Sequence, residues 1–413
     1  MRPTVAIVGG GAAGLFAAVT AAKEGARVTV LEKGDRVGRK LLATGNGRCN
    51  LTNLEASAAD YHTDCPDAVR RVLSQLPPGR TVERFEQMGL LCRQEEEGRV
   101  YPYCAQAAAV LDRLRFACAR LGVETVEGFG VKALKKEKGR FLLSDQTGRP
   151  FQADRVIVAA GGAAAPQLGG TADGCRLLEG MGHTIAPLTP ALVPVKTAAL
   201  KVRPLKGVRV KAAVRLLTDG KPTAWERGEV QFTEQGLSGI AVMQLSGSIA
   251  ADTKGRHTYL LSLDLMPEFT CKEIVSLLKR RLSSAGQEPL SDFMTGLLPK
   301  RVGQAVAKEC CGPLSQTAGS LPAEVWDRLA GTLKDWRFEV TGTLSWQQAQ
   351  VTAGGARLGE FNPDTLESKK TPGLWAAGEV LHVNGPCGGY NLQWAWASGF
   401  VAGREAAREG IRR

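Results

Sequence analysis

The sequence predicts an α/β protein whose doubly wound parallel sheet is assembled from both ends of the chain, with a β-rich and then helical region inserted between them. Three observations carry this. "TVAIVGGGAAGLFAAVTAAKEGARVTVLEK" near the start reads as strand, tight turn, helix and strand. "TPGLWAAGEV", Thr371–Val380, is a further short apolar strand ending in Gly-Glu, and a helix begins beyond Gly389. Between them lie short alternating strands, followed by helical periodicity broken by Pro and Gly.

Composition sets the bounds. With 413 residues, 44% hydrophobic and 23% charged, the chain can bury the cores of two or three ordinary globular domains. Lys and Arg exceed Asp and Glu by 53 to 41, a net charge of +12 that is compatible with anionic partners. The basic residues are spread along the chain, with one exception. Lys196, Lys201, Arg203, Lys206, Arg209, Lys211 and Arg215 follow one another with no acid between them, and the alternation in "VRVKAAVRL" turns that charge to one face of a strand, either a solvated face or the mouth of a site for a phosphate or carboxylate. Among the ten cysteines there is no CxxC, Cys310 and Cys311 are adjacent, and His62, His183, His257 and His382 are far apart. Zinc-site and redox-pair patterns are therefore absent, and reduced thiols fit a cytoplasmic protein. Arg2 and the apolar run after it imitate a signal peptide, but the glycines there have another use. No later run of about 18 apolar residues predicts a membrane span.

The elements follow in order. The strand Val5–Val8, helix Gly14–Glu24 and strand Arg27–Glu32 frame Gly9, Gly11 and Gly14 in the pattern GxGxxG. The first glycine permits the turn, the second lets a pyrophosphate reach the backbone, and the third brings helix and sheet together. Gly9, Gly11, Ala12, Ala13 and Gly14 are thus candidate phosphate-binding residues at a helix N-terminus. Glu32, 18 residues after Gly14, is the expected acceptor for ribose hydroxyls and disfavours a 2′-phosphate; Lys33 follows it.

A dinucleotide is implied, and the next stretch chooses which. "GDRVGRKLLATGNGRCNLTN", Gly34–Asn53, is glycine-rich and basic where an NAD enzyme would proceed to another strand and helix. It suits a loop lying along an extended FAD. Arg39, Lys40 and Arg48 are candidates for the phosphates, and Thr44, Gly45, Asn46, Gly47 and Asn50 for the flavin, with Cys49 a small residue packed beside the ligand. A second anchor is "FQADRVIVAAGGAAAPQLGGTADG", where strand Val156–Val158 ends at Ala160, Gly161 and Gly162. Before it, "VETVEGFGVKALKKEKGRFLL" reads as a β-meander, with Val131 offering backbone to an adenine. Near the C-terminus, Gly378 and Glu379 face the ribityl chain. The N–H groups of Gly389, Tyr390, Asn391 and Leu392 meet the N1 and C2-carbonyl edge, where a helix N-terminus favours the negative charge of reduced flavin. Trp394 and Trp396 pack that helix, and His183 is a structural residue at a helix end.

These blocks resemble a known family, the BaiN-like or YhiN-like flavoproteins, also described as aminoacetone-oxidase-like. The resemblance runs through "GGGAAGLFAA", "GRKLLATGNGRCNLTN", "GRVYPYCAQAAAVLDRL", "FTEQGLSGIAVMQLS", "VTAGGARLGEFNPDTLESK" and "GLWAAGEVLHVNGPCGGYNLQWAWASG". It implies noncovalent FAD and an NAD(P)H-linked reductase of unsaturated or oxo compounds. The chain departs from the family at His382 and Asn384, where acids are common, and at Cys387, where Thr is frequent.

The expected architecture is an FAD-binding Rossmann-like domain formed by residues 1–190 and 340–413, with a β-rich substrate domain at 191–267 and a helical subdomain at 268–339. Hydride enters from NADH or NADPH, bound transiently because no second GxGxxG exists, and leaves to an activated double bond, imine or related small molecule. Tyr101, Tyr103, His382 and Tyr390 are candidate proton donors, none assigned. Two other classes stay open: an RNA-modifying flavoprotein of GidA-like type, against which stands the absence of an RNA motif or aromatic–basic patch, and a flavin-binding redox sensor.

Overall fold

A computed structural model of the chain describes residues 2–198 and 202–408. It divides into two compact units, Met1–Pro190 with Gln350–Arg413, and Ala191–Ala349.

The first unit is built on five strands, β1 (Thr4–Val8), β2 (Arg27–Leu31), β3 (Glu124–Val126), β4 (Arg155–Val158) and β5 (Leu374–Ala376). They lie in the order β5-β4-β1-β2-β3, and every pairing is parallel. Val5 to Val8 and Val156 to Val158 are buried without alternation, as strands covered on both faces must be. Helix α1 (Ala12–Lys23) crosses from β1 to β2, and α2 (Tyr390–Ala407) packs directly on α1. Small residues make that approach possible: a Cβ on Gly399 would stand 2.5 Å from the Ala13 carbonyl oxygen, and one on Gly403 2.4 Å from that of Ala17. Trp394 and Trp396 are buried in the same core, their indole N–H groups donating to the carbonyls of Gly378 and Leu51 at 3.1 and 2.8 Å.

The stretch read as one meander is divided. Glu124–Val126 leaves it to become the parallel edge strand β3, and Val131–Glu137, Arg140–Asp145 and Pro150–Ala153 form a separate antiparallel sheet. His183 is buried, stacked on Phe361 at 4.4 Å and hydrogen-bonded to Glu360 and Ser368.

The second unit is a closed six-stranded antiparallel barrel of Val195–Thr197, Gly236–Ser238, Lys221–Phe232, Arg209–Thr218, Tyr259–Asp264 and Trp336–Thr343. Helices Cys271–Ala285, Lys300–Cys311 and Ala323–Lys334 enter the sequence before the last strand. Trp336–Thr343 therefore closes the barrel, so residues 340–349 lie with the insertion and not with the C-terminal part of the first unit. The basic strand lines the barrel's outside. Val210, Ala212, Val214 and Leu216 are buried, while Arg209 pairs with Glu229 at 3.4 Å and Arg215 with Asp335 at 3.6 Å. Lys206 pairs with Glu234 at 2.7 Å, and Lys201 lies outside the described residues.

Candidate functional site

Parallel register brings the carboxyl ends of four strands to one edge, because Val8 lies opposite both Leu31 and Val158, and Val158 opposite Ala376. The segments that follow are the glycine turn, Glu32, Ala160–Gly162 and Gly378–Glu379. An open α/β sheet binds its ligand beyond such an edge. Among the described residues no helix is long and apolar enough to cross a membrane, and no metal-holding cluster of His, Cys, Asp or Glu occurs.

The turn is held from both sides. Gly9 donates its N–H to the Leu31 carbonyl at 2.9 Å, and its φ of +105° is open to glycine at little cost. A Cβ on Gly14 would lie 1.9 Å from the Gly9 carbonyl oxygen, so the third glycine serves helix packing. Gly11, the residue before α1, differs: a Cβ there would meet nothing within 4 Å. The same holds for Gly161, in the loop that leaves β4 at this edge. Gly11 and Gly161 thus border free space while Gly9, Gly14 and Gly162 beside them are tightly packed, the arrangement that a dinucleotide laid against backbone requires. Ala12 and Ala13 open α1 beneath them, and free N–H groups in that first turn suit a pyrophosphate.

Glu32 is fixed before any ligand reaches it. Its Oε2 accepts from Gly10 N–H at 2.8 Å and its Oε1 from Gly34 N–H at 2.7 Å, which leaves further lone pairs on each oxygen for ribose hydroxyls. Beside it, Phe129 N–H donates to the Glu32 carbonyl at 2.8 Å, carrying the segment that ends in buried Val131 to the same side. Lys33 and Arg39 are exposed; Arg39 turns toward Asp35, 3.9 Å away.

On the other flank the structure makes a contact that sequence reading did not foresee. Lys40, expected at the phosphates, is held by the Glu379 carboxylate at 2.8 and 3.1 Å, and Glu379 Oε1 also accepts from Thr352 N–H at 2.7 Å. Thr352 Oγ1 in turn accepts from Ala164 N–H at 3.0 Å. A Cβ on Gly162 would be 2.3 Å from that hydroxyl, so the glycine after β4 is required by Thr352. The only signal that could have found Thr352 was its place just before the glycine pair in "VTAGGA".

The "TGNGRCNLTN" and "GPCGGYNLQ" segments meet. Asn53 Nδ2 donates to the Gly388 carbonyl at 3.0 Å, the Thr52 hydroxyl to Gln393 Oε1 at 2.6 Å, and a Cβ on Gly389 would lie 2.5 Å from the Thr52 carbonyl. Thr44 is half-buried, and Gly45, Asn46 and Gly47 are exposed. Cys49 and Asn50 turn inward instead. Cys49 has no exposed surface and burial pushes its thiol up to about 12, so it packs in the core as an unreactive thiol. Asn50 Oδ1 is buried with no hydrogen-bond partner, beside Gly389. Asn391 spends its side chain on the loop, accepting from Gly385 N–H at 2.9 Å and donating to the Gly385 and Pro386 carbonyls, while Leu392 continues the first turn of α2.

The four candidate proton donors separate. Tyr103 is 59% exposed. Tyr101 lies under the Arg48 guanidinium, 4.2 Å from its ring centre, and burial pushes its phenol up. His382 is half-buried with Nδ1 3.7 Å from Asp64; burial holds its pKa below the usual histidine range, with Asp64 opposing and Arg357 assisting. Tyr390 is half-buried at the start of α2, against Tyr61 at 6.3 Å, and its phenol is raised by burial and then by Asp60 and Glu55.

A family model described as HI0933-like protein Rossmann domain matches residues 3–405. The chain is 39% identical over 406 residues, 98% of each protein, to a 3-dehydro-bile acid delta(4,6)-reductase of Clostridium scindens. It is 30% identical over 410 residues, 98% of each, to a ribosomal RNA dihydrouridine synthase of Haemophilus influenzae. Among solved structures, a 3-ketosteroid delta1-dehydrogenase of Sterolibacterium denitrificans aligns with a TM-score of 0.52 at 14% identity over 98% of this chain and 99% of that one, a likeness of fold alone.

Proposed function

Because the chain belongs to the HI0933-like Rossmann family and is an FAD-dependent oxidoreductase, we propose that it reduces a carbon–carbon double bond conjugated to a carbonyl in a small apolar molecule of steroid-like type, using electrons from NADH or NADPH. The observation that carries this reading is the 39% identity, over nearly the whole chain, to a protein named as a reductase of such a system. The name of the ribosomal RNA relative describes related chemistry, saturation of the double bond in uridine.

FAD, when bound, supplies hydride transfer. The chain's own residues place and protect it. Gly9 to Gly14 and the start of α1 receive the pyrophosphate, Glu32 and the Phe129–Val131 backbone the adenosine half, and Glu379 and the start of α2 the flavin half. Reduction of an enone adds hydride at the β-carbon and a proton at the α-carbon. Tyr390 is our assignment for holding that proton, since it stands half-buried at the first turn of α2 and a phenol carries its proton at neutral pH.

An RNA substrate is the second reading, supported by the relative's name and by the net charge of +12. Against it, Lys206, Arg209 and Arg215 of the basic segment are ion-paired and do not offer an open phosphate track. The decisive experiment mixes anaerobically reduced holoprotein with a 3-oxo-4-ene steroid acid, and separately with a uridine-containing ribosomal RNA fragment. Return of the oxidised flavin spectrum with the steroid, and a product two hydrogens richer, supports the proposal. Reoxidation by the RNA alone replaces it. Bleaching by NADH or NADPH before mixing identifies the donor, and persistent oxidised flavin with both rejects that assignment.

A further inference from the structure

The order β5-β4-β1-β2-β3 puts Glu32 and Glu379 on opposite flanks of the Gly9–Gly11 turn. A dinucleotide with its pyrophosphate on that turn and its ribose on Glu32 must extend its other half over β4 and β5. That is the flank where Lys40 and Glu379 meet at 2.8 Å, half-buried, with side chains 31% and 21% exposed. The two residues are 339 positions apart in sequence, and the carboxylate is oriented by Thr352 N–H, itself fixed through the Thr352 hydroxyl and Ala164. A charge pair held this firmly is no accident of two flexible surface side chains.

We infer that Glu379 is a positioning residue for Lys40, and that its carboxylate balances the lysine's charge, so that neither group alone shifts the reduction potential of the flavin bound on this flank. The inference rests on the flavin reading above and deepens it. Reduction places negative charge on the flavin ring. A nearby ammonium stabilises that charge and a nearby carboxylate opposes it, more strongly in a half-buried site than in water. The native pair balances the two. Removing the cation leaves the Glu379 charge uncompensated beside the ribityl chain and favours oxidised flavin; removing the anion leaves Lys40 alone and favours reduced flavin. Removing both restores the balance. The electrons come from the nicotinamide donor and pass to the enone, so the loss of either member alone changes which acceptors the protein can reduce.

The test is a potentiometric titration of wild type, Lys40→Met, Glu379→Gln and the double variant, each reconstituted with FAD, against a reference dye. At the dye poise that half-reduces wild type, the reduced-to-oxidised ratio is expected to fall at least about fivefold in K40M, to rise by a similar factor in E379Q, and to lie within about twofold of wild type in the double variant. Lys40→Gln and Glu379→Leu perform the same charge arithmetic if a first variant is insoluble. A purely structural pair would shift both single variants in one direction or neither; either result, with flavin bound, overturns the inference. Failure of wild type itself to take up FAD would overturn the flavin reading instead, and the two outcomes are distinguished by the visible spectrum before titration begins.

Discussion

The Trp396 indole N–H donates to the carbonyl oxygen of Leu51 at 2.8 Å, joining residues 345 positions apart with both side chains fully buried. This bond, with the Thr52–Gln393 bond next to it, holds the "TGNGRCN" loop against α2. Trp396→Phe removes the donor, leaves a buried carbonyl unsatisfied and opens space beside Phe16 and Phe85. We expect a loss of about 2–4 kcal/mol, read from urea unfolding curves with unchanged slope. A variant as stable as wild type would mean that the loop is held by other contacts.

Glu32 accepts from two backbone N–H groups and is oriented for a third partner. Glu32→Gln should keep the fold and weaken FAD binding by about ten- to a hundredfold, the value of a charge-assisted hydrogen bond. Titration of apoprotein by flavin fluorescence quenching measures it; unchanged affinity would remove Glu32 from the site.

Acid stability has an identifiable source in Glu360. Desolvation works to raise its pKa, but Lys370, both donors of Thr184 and His183 together hold it down at about 2. A carboxylate depressed in the folded state stabilises the protein above its unfolded value of about 4.3, and that contribution is lost as pH falls from there toward 2. His183 acts in the same direction, since burial lowers its pKa below that of the unfolded chain, so stability is lost as pH falls below about 6.5. Urea midpoints at pH 7, 5 and 3 should decline steadily in wild type. In Glu360→Gln the decline between pH 5 and pH 3 should be visibly flatter; an equal slope would place the acid sensitivity elsewhere.

Thiol reactivity should follow burial. Cys104 and Cys271 are exposed, while Cys49 is fully buried with its thiol raised from 9.0 to about 12 by desolvation. The thiolate fraction of Cys49 at neutral pH is then roughly a thousandfold below that of an unperturbed thiol. Brief alkylation of native protein followed by peptide mass spectrometry should label Cys104 and Cys271 and spare Cys49 until urea is added. Early labelling of Cys49 would contradict its place in the core.

What could be read in advance was local. The strand, turn and helix around Gly9–Gly14 announce themselves because hydrophobic periodicity and glycine spacing act over a few residues, and Glu32 follows at a fixed distance along the same unit. The partners of Lys40 and of Trp396 were not legible, because each lies more than 300 residues away and pairing at that range leaves no periodic trace. The same reason hid the barrel's closure: Trp336–Thr343 follows four α-helices and returns to Val195–Thr197. Glu124–Val126 was misplaced because a three-residue, largely exposed strand carries neither alternation nor an apolar run. That Cys49 and Asn50 turn inward was not legible either, because a polar loop sequence does not say which of its residues is buried.

The central structural claim is that Gly11 borders the space where the FAD pyrophosphate lies. The most direct measurement is FAD uptake by wild type and Gly11→Ala, alongside their urea unfolding. Since an added Cβ meets no protein atom within 4 Å, the variant should match wild-type stability to within about 0.5 kcal/mol while losing at least about tenfold in FAD affinity, against one FAD per wild-type chain. Wild-type affinity in the variant, or folded wild-type protein that stays colourless with excess FAD, would contradict the account.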